Sequence, residues 1–231
     1  MQVPMNRCMA LLLTAALAAC ETNVTGSGIA GGTSAVIRVV NATASSVDVA
    51  TAGTVAIGNA GLAFGAASNC TTTDATAPNL TVRTSGTGTV LAGFSPVLGP
   101  GGRYLAIAYS DANGLGQFST FVTNTFIPAS GQSGLKVIDT APGTGNFDVY
   151  AGAPGSALGT VSATNLSFGV TTAFLNVNAG AVQVRLTNAG TQTIVFTAAS
   201  QTLASGRNYV LVIGPPAAGT SGLRSFLVSS C

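Results

Sequence analysis

The segment IRVVNATASSVDVA, residues 37–50, returns as LKVIDTAPGTGNFDVYA, residues 135–151. Internal similarity in a fixed order is the signature of a repeated structural unit. Three more segments recur in this order: GLAFG at 61–65 as NLSFG at 165–169, LTVRTSGTGTVL at 80–91 as VQVRLTNAGTQTIVF at 182–196, and GGRYLAIAY at 101–109 as SGRNYVLVI at 205–213. The chain therefore contains two tandem repeats, which we place at residues 34–130 and 133–231.

Each repeat consists of short apolar segments separated by turn residues. The segments are rich in Val, Ile, Leu, Thr and Tyr, and Gly, Asn, Ser and Pro interrupt them before a long helical period can develop. In LTVRT at 80–84, Leu80 and Val82 alternate with polar residues, as in a half-buried strand. This pattern predicts an all-β chain of two tandem β-sandwiches, either immunoglobulin-like or transthyretin-like.

The repeated segments resemble a known family. A strand like IRVVNA, a VDV or FDVY strand, an L-x-F-G turn, and a G-x-Y strand preceded by Leu98 or Leu203 resemble domain of unknown function 4397, a repeat of bacterial envelope and secreted proteins. The resemblance covers nearly all of residues 35–231 in two copies, with Thr43 where the family often has the proline seen at Pro142. It implies a β-sandwich in an envelope protein and no particular activity.

The first twenty residues are organised as an export signal. Arg7 supplies a positive charge, and the apolar stretch 9–17 that follows is too short to cross a bilayer as a stable helix. The sequence LAAC at 17–20 resembles the lipobox of bacterial lipoproteins, which implies cleavage before Cys20 and a diacylglycerol on its thiol. We therefore predict a lipoprotein signal peptide at 1–19 and lipid attachment at Cys20.

The cysteine count supports this prediction. The chain contains Cys8, Cys20, Cys70 and Cys231, and Cys8 leaves with the signal peptide. An ordinary signal cleavage would leave an odd number of thiols in an oxidising compartment, whereas lipidation of Cys20 leaves two that can pair. We predict a disulfide between Cys70 and Cys231, with two free buried thiols as the alternative.

Residues 20–33 are predicted to form the lipidated N-terminus and a tether. The stretch 21–33 is rich in Gly, Ser and Thr without a period, and its G-x-G-x-x-G pattern lacks the strand and helix that phosphate binding requires. Two or three acyl chains would hold the protein stably to a membrane. Glu21 is not the aspartate that retains lipoproteins in the inner membrane of enteric bacteria, so we expect the outer membrane. Exposure to the periplasm and exposure at the cell surface are the two alternatives.

The composition excludes several classes of function. Charged residues make up 6% of the chain, and histidine and tryptophan are absent. A net charge of +2 provides no basic field for nucleic acid, so we expect no nucleic acid partner. Without histidine there is no Ser-His-Asp triad, no Cys-His pair and no imidazole ligand, so we expect no catalytic centre, no metal and no cofactor.

The carboxylates give no recognisable catalytic set. Asp48 and Asp148 occupy equivalent strand positions, and Asp139 is matched by an asparagine, so we interpret all three as shared architecture. An acid and base pair formed by Asp74 and Asp111 is the remaining enzymatic hypothesis. The segment DANG at 111–114 begins like a calcium loop but lacks the later oxygen ligands, and it predicts a hairpin turn.

The basic residues also occur at matched positions, which we interpret as solvated strand positions. Guanidinium groups bind carboxylates in a bidentate fork, so a repeated anion contact at Arg83 and Arg185 is the alternative. The matched pairs are Arg38 with Lys136, Arg83 with Arg185, and Arg103 with Arg207.

These features together predict a non-catalytic, membrane-anchored envelope lipoprotein that acts as a scaffold or an adhesion module toward an envelope protein or polysaccharide. The alternative is a glycan-binding envelope module, although the aromatic platform that such modules use is thin. Tyr104 and Tyr209 are repeat equivalents that we expect in the core. An enzyme dependent on carboxylates or a metal is the least supported hypothesis.

Overall fold

The computed structural model describes residues 33–51, 60–76, 78–217 and 220–231, and within these ranges the chain forms strands and no helix. The all-β prediction is confirmed. The predicted signal peptide at 1–19, Cys20 and the tether as far as residue 32 lie outside the described residues.

The strands follow the repeat that the sequence predicts. The first repeat contains β1 (Ser34–Asn41), β2 (Val47–Thr51), β3 (Thr71–Asp74), β4 (Leu80–Thr84), β5 (Val90–Phe94), β6 (Arg103–Ser110) and β7 (Gly116–Val122). The second contains β8 (Gln132–Asp139), β9 (Phe147–Gly152), β10 (Ala163–Leu166), β11 (Leu175–Asn178), β12 (Gly180–Asn188), β13 (Ile194–Thr197), β14 (Gln201–Leu203), β15 (Asn208–Gly214) and β16 (Arg224–Ser229).

Each repeat has one inner and one outer sheet. The inner sheets have the orders β3-β1-β6-β7 and β11-β8-β15-β16, and the outer sheets have the orders β2-β4-β5 and β10-β9-β12-β13, with β14 also paired to β12. The central pairs β1–β6 and β8–β15 are parallel. The first two strands of each repeat lie in different sheets, unlike those of an immunoglobulin domain. The strand order therefore leaves the transthyretin-like alternative.

A separate apolar core lies between the two sheets of each repeat. In the first repeat, Ile37 and Val39 of the inner sheet pack with Leu80 and Val82 of the outer sheet. Leu80 and Val82 are buried while Thr81 is only half-buried, as the alternation in 80–84 predicts. The core of the second repeat includes Leu135, Val137, Val149, Val184, Leu186 and Leu211.

A third core joins the two inner sheets face to face. Leu105 and Ile107 of β6 pack there with Ile138 of β8 and with Val210 and Val212 of β15. Both faces of the inner strands are therefore buried, which explains why RYLAIAYS and NYVLVIG read as nearly continuous apolar runs. The described residues consequently form one compact unit of four stacked sheets.

Candidate functional site

The predicted disulfide between Cys70 and Cys231 is confirmed, and the alternative of two free thiols is wrong. Their Cα atoms are 5.9 Å apart, within the range that a disulfide bridges. Cys70 immediately precedes β3 of the first repeat, and Cys231 follows β16 of the second. The bond therefore covalently joins the two repeats at one end of their interface, across 161 residues of sequence.

An aromatic pair occupies the corresponding junction at the other end. Phe174 immediately precedes β11, as Cys70 precedes β3, and Phe126 follows β7 of the first repeat. Their rings stack with centroids 4.9 Å apart and an interplanar angle of 14°. A Cβ at Gly134 would lie 2.7 Å from the Phe126 ring, so glycine is required for this close approach.

Polar contacts across the interface also occur in matched pairs. Arg103 Nη1 donates to the carbonyl oxygen of Cys231 at 2.7 Å. The predicted match of Arg103 with Arg207 is wrong by one residue, because the strand register places Arg103 opposite β1 where Asn208 lies opposite β8. Asn208 donates from Nδ2 to the carbonyl oxygen of Phe126 at 2.8 Å. Arg103 of the first repeat contacts the end of the second repeat, and Asn208 of the second repeat contacts the end of the first. The interface is therefore approximately two-fold, like that of a homodimer.

The prediction that the matched basic residues are solvated is wrong for Lys136. Lys136 Nζ donates to the carbonyl oxygen of Thr172 at 2.7 Å and lies 4.9 Å from the Phe174 ring centroid, an attractive cation–π geometry. Burial lowers the pKa of Lys136. Arg38 Nη1 reaches across the interface to the carbonyl oxygen of Ser229 at 3.2 Å.

Arg185 is also buried, with 7% of its surface exposed. Its Nη1 and Nη2 atoms donate to Ser156 and to the carbonyl oxygen of Ala157, and they hold the loop between β9 and β10 against the outer sheet. Both terminal nitrogens of the guanidinium are therefore engaged by the chain itself. The structure gives Arg185 a structural role rather than that of a solvated strand residue.

The equivalent carboxylates Asp48 and Asp148 accept hydrogen bonds from backbone amides. Asp48 Oδ1 accepts from Gly61 N at 2.6 Å. Asp148 accepts from Asn165 N at 2.9 Å and from Gly190 N at 2.8 Å, which fastens strand β10 and the turn between β12 and β13 to β9. These contacts support the interpretation of this pair as shared architecture.

The loop carboxylates Asp74 and Asp111 each accept hydrogen bonds within their own turn. Asp74 accepts from Thr76 N at 2.9 Å, and its hydrogen bonds with Thr76 lower its pKa. Asp111 Oδ1 accepts from the backbone amides of Asn113 and Leu115, both at 2.9 Å. DANG at 111–114 lies in the turn between β6 and β7, as predicted.

Asp139 is fully buried at the end of β8. Burial raises its pKa to about 6, against hydrogen bonds from Ala141 N and Thr144 Oγ1. Asn41 occupies the same position in the first repeat, and its Nδ2 donates to the carbonyl oxygens of Ser45 and Leu62 at 2.8 Å. The amide thus supplies donors that an ionised carboxylate lacks.

The tyrosines do not form an exposed platform. The side chains of Tyr104 and Tyr209 pack against the cores of their own repeats, as expected. The Tyr104 hydroxyl accepts from Gly99 N at 2.6 Å, and the Tyr209 hydroxyl accepts from Ala204 N at 3.1 Å. The two residues have the same role in the two repeats.

A groove of about 700 Å³ lies in the second repeat, and the sequence analysis did not predict it. It runs between β11 and the end of β9, where the small residues Ala151, Gly152 and Ala153 form one wall. Asn176 and Asn178 are exposed along the other wall. Its lining contains no charged residue.

Within the described ranges, no cluster of three or more His, Cys, Asp or Glu side chains is arranged to hold a metal ion. None of the described segments forms a helix that is long and apolar enough to cross a membrane.

Comparison with known proteins gives one family. The family model described as a domain of unknown function (DUF4397) matches residues 35–150 and 133–228, which agrees with the resemblance read from the repeated segments. A search of curated proteins finds no match. Because the two matches together span most of the chain, the protein belongs to the DUF4397 family and carries its domain in two tandem copies.

Proposed function

We propose that this protein is a non-catalytic lipoprotein of the bacterial cell envelope, anchored through Cys20 and presenting two fused β-sandwiches as a rigid scaffold or binding module. The observation that carries the proposal is the disulfide between Cys70 and Cys231. Structural disulfides form and persist in oxidising compartments, so this bond supports export, in agreement with the signal peptide and lipobox of the sequence.

The interface between the repeats supports a role in rigid presentation. The inner sheets share a continuous apolar core, and the disulfide and the aromatic pair close its two ends. Interfaces of this apolar kind resist relative domain motion. The module would therefore hold its loops and edges in fixed positions at the end of the tether.

A non-catalytic role is supported by the charged groups. The carboxylates of Asp48, Asp74, Asp111 and Asp148 are engaged by backbone amides at their own turns and loops. Arg185 is engaged in the same way by the loop between β9 and β10. These side chains stabilise the fold through hydrogen bonds with the backbone.

Glycan binding is the less supported alternative. Sugar-binding sites commonly present an aromatic ring face to the sugar, and Phe174 is the aromatic residue in the lining of the groove. Its ring stacks on Phe126 and has the Lys136 ammonium near its face, so it is a poor platform for a sugar.

Metabolic labelling with palmitate tests the lipid anchor. We expect the wild-type chain to incorporate label and to fractionate with the outer membrane. The Cys20→Ala variant should lose both properties because the acylated thiol is absent. Cys8→Ala is the matched control, since Cys8 lies in the predicted signal peptide and its loss should leave labelling unchanged. Undiminished labelling of Cys20→Ala would show that the proposed anchor is wrong.

A further inference from the structure

Strand β11 is an edge of the inner sheet of the second repeat, and its outer side borders the groove. Along an antiparallel strand, the backbone groups of successive residues point alternately toward and away from the partner strand. Ala179, which directly follows β11, donates from its backbone N to the carbonyl oxygen of Gly131. By the alternation, the backbone groups of the odd-numbered residues of β11 therefore point toward β8. The backbone N–H and C=O groups of Asn176 and Asn178 therefore point into the groove.

The other side of β8 agrees with this assignment. Gly134 N donates to the carbonyl oxygen of Arg207 on the side of β15. Gly134 is opposite Asn176 in the register of β8 and β11. Since Gly134 directs its backbone groups toward β15, β8 offers none to Asn176. Among the described residues, the outward backbone groups of Asn176 and Asn178 have no backbone partner, and they form a short open ladder along the groove.

The equivalent edge of the first repeat is protected, and β11 is not. Asp74 on β3 occupies the position of Asn178 on β11. Natural sheets place charges on edge strands because a charge disfavours the addition of another strand. Hydrogen bonds with Thr76 lower the pKa of Asp74, so its carboxyl stays ionised. The strand β11, LNVN, has no charged residue.

The walls of the groove suit a backbone rather than large side chains. Ala151, Gly152 and Ala153 leave room for close approach on the side of β9. Ala151 N already donates to Ser162 Oγ at 3.1 Å, so the available ladder is on β11. The Asn176 side chain is turned back, because its Oδ1 accepts from Ala129 N at 3.2 Å.

We propose that this groove binds an extended, uncharged peptide segment of another envelope protein, which adds to β11 as a further strand through the backbone groups of Asn176 and Asn178. In strand addition, main-chain hydrogen bonds provide the affinity and neighbouring pockets select the side chains. Here the small, uncharged walls select Gly, Ala, Ser and Thr. The inference names a partner class for the proposed binding module and does not depend on the lipid anchor.

Binding of a labelled synthetic peptide tests the proposal. The probe is the uncharged octapeptide GATSTATG, capped at both ends and titrated by fluorescence anisotropy against the full chain in detergent. Two control peptides have the same sequence with alternate backbone nitrogens methylated. The first lacks the N–H donors along one edge of the extended peptide, and the second lacks those along the other edge. We expect the unmodified peptide to bind with a Kd below about 1 mM, and at least one methylated peptide to bind about tenfold more weakly.

A matched pair of proline variants locates the site. Asn176→Pro removes an N–H that points into the groove and leaves the ladder with β8, as edge strands permit. Thr72→Pro makes the same change at the equivalent position of β3, away from the groove. We expect Asn176→Pro to raise the Kd about tenfold, the loss of about one hydrogen bond, and Thr72→Pro to leave it unchanged.

Several results would overturn the proposal. The first is that no peptide binding is detected at about 1 mM. The second is that the peptide and both methylated forms bind equally well. The third is an unchanged Kd in a folded Asn176→Pro variant. Displacement of the peptide by a neutral N-acetylglucosamine oligomer would assign the groove to glycan instead. The methylated peptides keep the test decisive if Asn176→Pro fails to fold. None of these results affects palmitate labelling at Cys20, so the anchor is tested separately.

Discussion

The two ends of the repeat interface are closed by different chemistry at equivalent positions. At one end, Cys70 before β3 is bonded to Cys231 after β16. At the other, Phe174 before β11 stacks on Phe126 after β7. The approximate two-fold symmetry of the interface creates both junctions. The same interface is thus fastened at one end by a covalent bond that constrains the unfolded chain, and at the other by apolar contact in the folded chain.

The largest effect is expected from breaking the covalent junction. Cys70→Ser should lower the free energy of unfolding by about 4 kcal/mol, because opening so long a loop returns conformational entropy to the unfolded chain. Equilibrium denaturation in guanidinium chloride measures this loss. Cys231→Ser and the double variant are the controls, and both should match the single variant. A loss under about 1 kcal/mol would show that the bond contributes little to stability.

A smaller effect is expected at the aromatic junction. Phe126→Ala should lower the free energy of unfolding by about 2 kcal/mol, since a half-buried ring loses its stacking and apolar contacts. Phe126→Leu keeps the apolar contact and should lose about half as much. Combined with Cys70→Ser, the effect of Phe126→Ala should be additive if the junctions are independent. Strong coupling would mean that the two ends act as one unit.

The smallest effect is expected at the position where the second repeat has a buried carboxyl, Asp139, and the first has the amide of Asn41. The pKa of Asp139 is about 6 in the folded chain, above the ordinary unfolded value near 4. Its stabilising contribution is therefore fully present below about pH 4 and is lost as the pH rises through about 6. Asp139→Asn should remove this dependence and raise the free energy of unfolding at pH 7 by about 1 to 2 kcal/mol.

Urea denaturation of both proteins between pH 4 and pH 8 measures this difference. The control is Asp148→Asn, which replaces a carboxylate that accepts two backbone hydrogen bonds with an amide of weaker acceptor capacity. It should lower stability at pH 7, opposite in sign to Asp139→Asn. If Asp139→Asn also lowers stability at pH 7, the ionised carboxylate is better accommodated than its burial indicates.

Several parts of the fold follow from local patterns. The alternation of Leu80 and Val82 with polar residues predicts their burial correctly, and the repeated tyrosines Tyr104 and Tyr209 lie against their own cores as expected. These predictions succeed because a strand with one buried face has a period of two that can be read from neighbouring residues. The cysteine pairing is predicted for another reason, since Cys70 and Cys231 are the two thiols that the predicted signal peptide and lipid anchor do not include.

Other parts required the folded chain. Arg185 and Lys136 look like ordinary solvated strand residues in sequence, yet loops and aromatic rings from distant segments enclose them. The groove beside β11 depends on where the short strand β10 leaves β9 uncovered, which a linear pattern does not record. The apolar run in β6 is compatible with burial on both faces, but it does not identify the sheet that covers the second face.

Local patterns account for the repeat, the all-β class and the proposed pairing of Cys70 with Cys231, because these depend on composition, periodicity and internal similarity. Only the tertiary structure decided that the inner sheets pack face to face, that the two junctions close differently and that the edge of β11 stays open. Contacts between residues far apart in sequence depend on the relative placement of whole sheets, and that placement is set by the sum of many apolar contacts rather than by any local pattern.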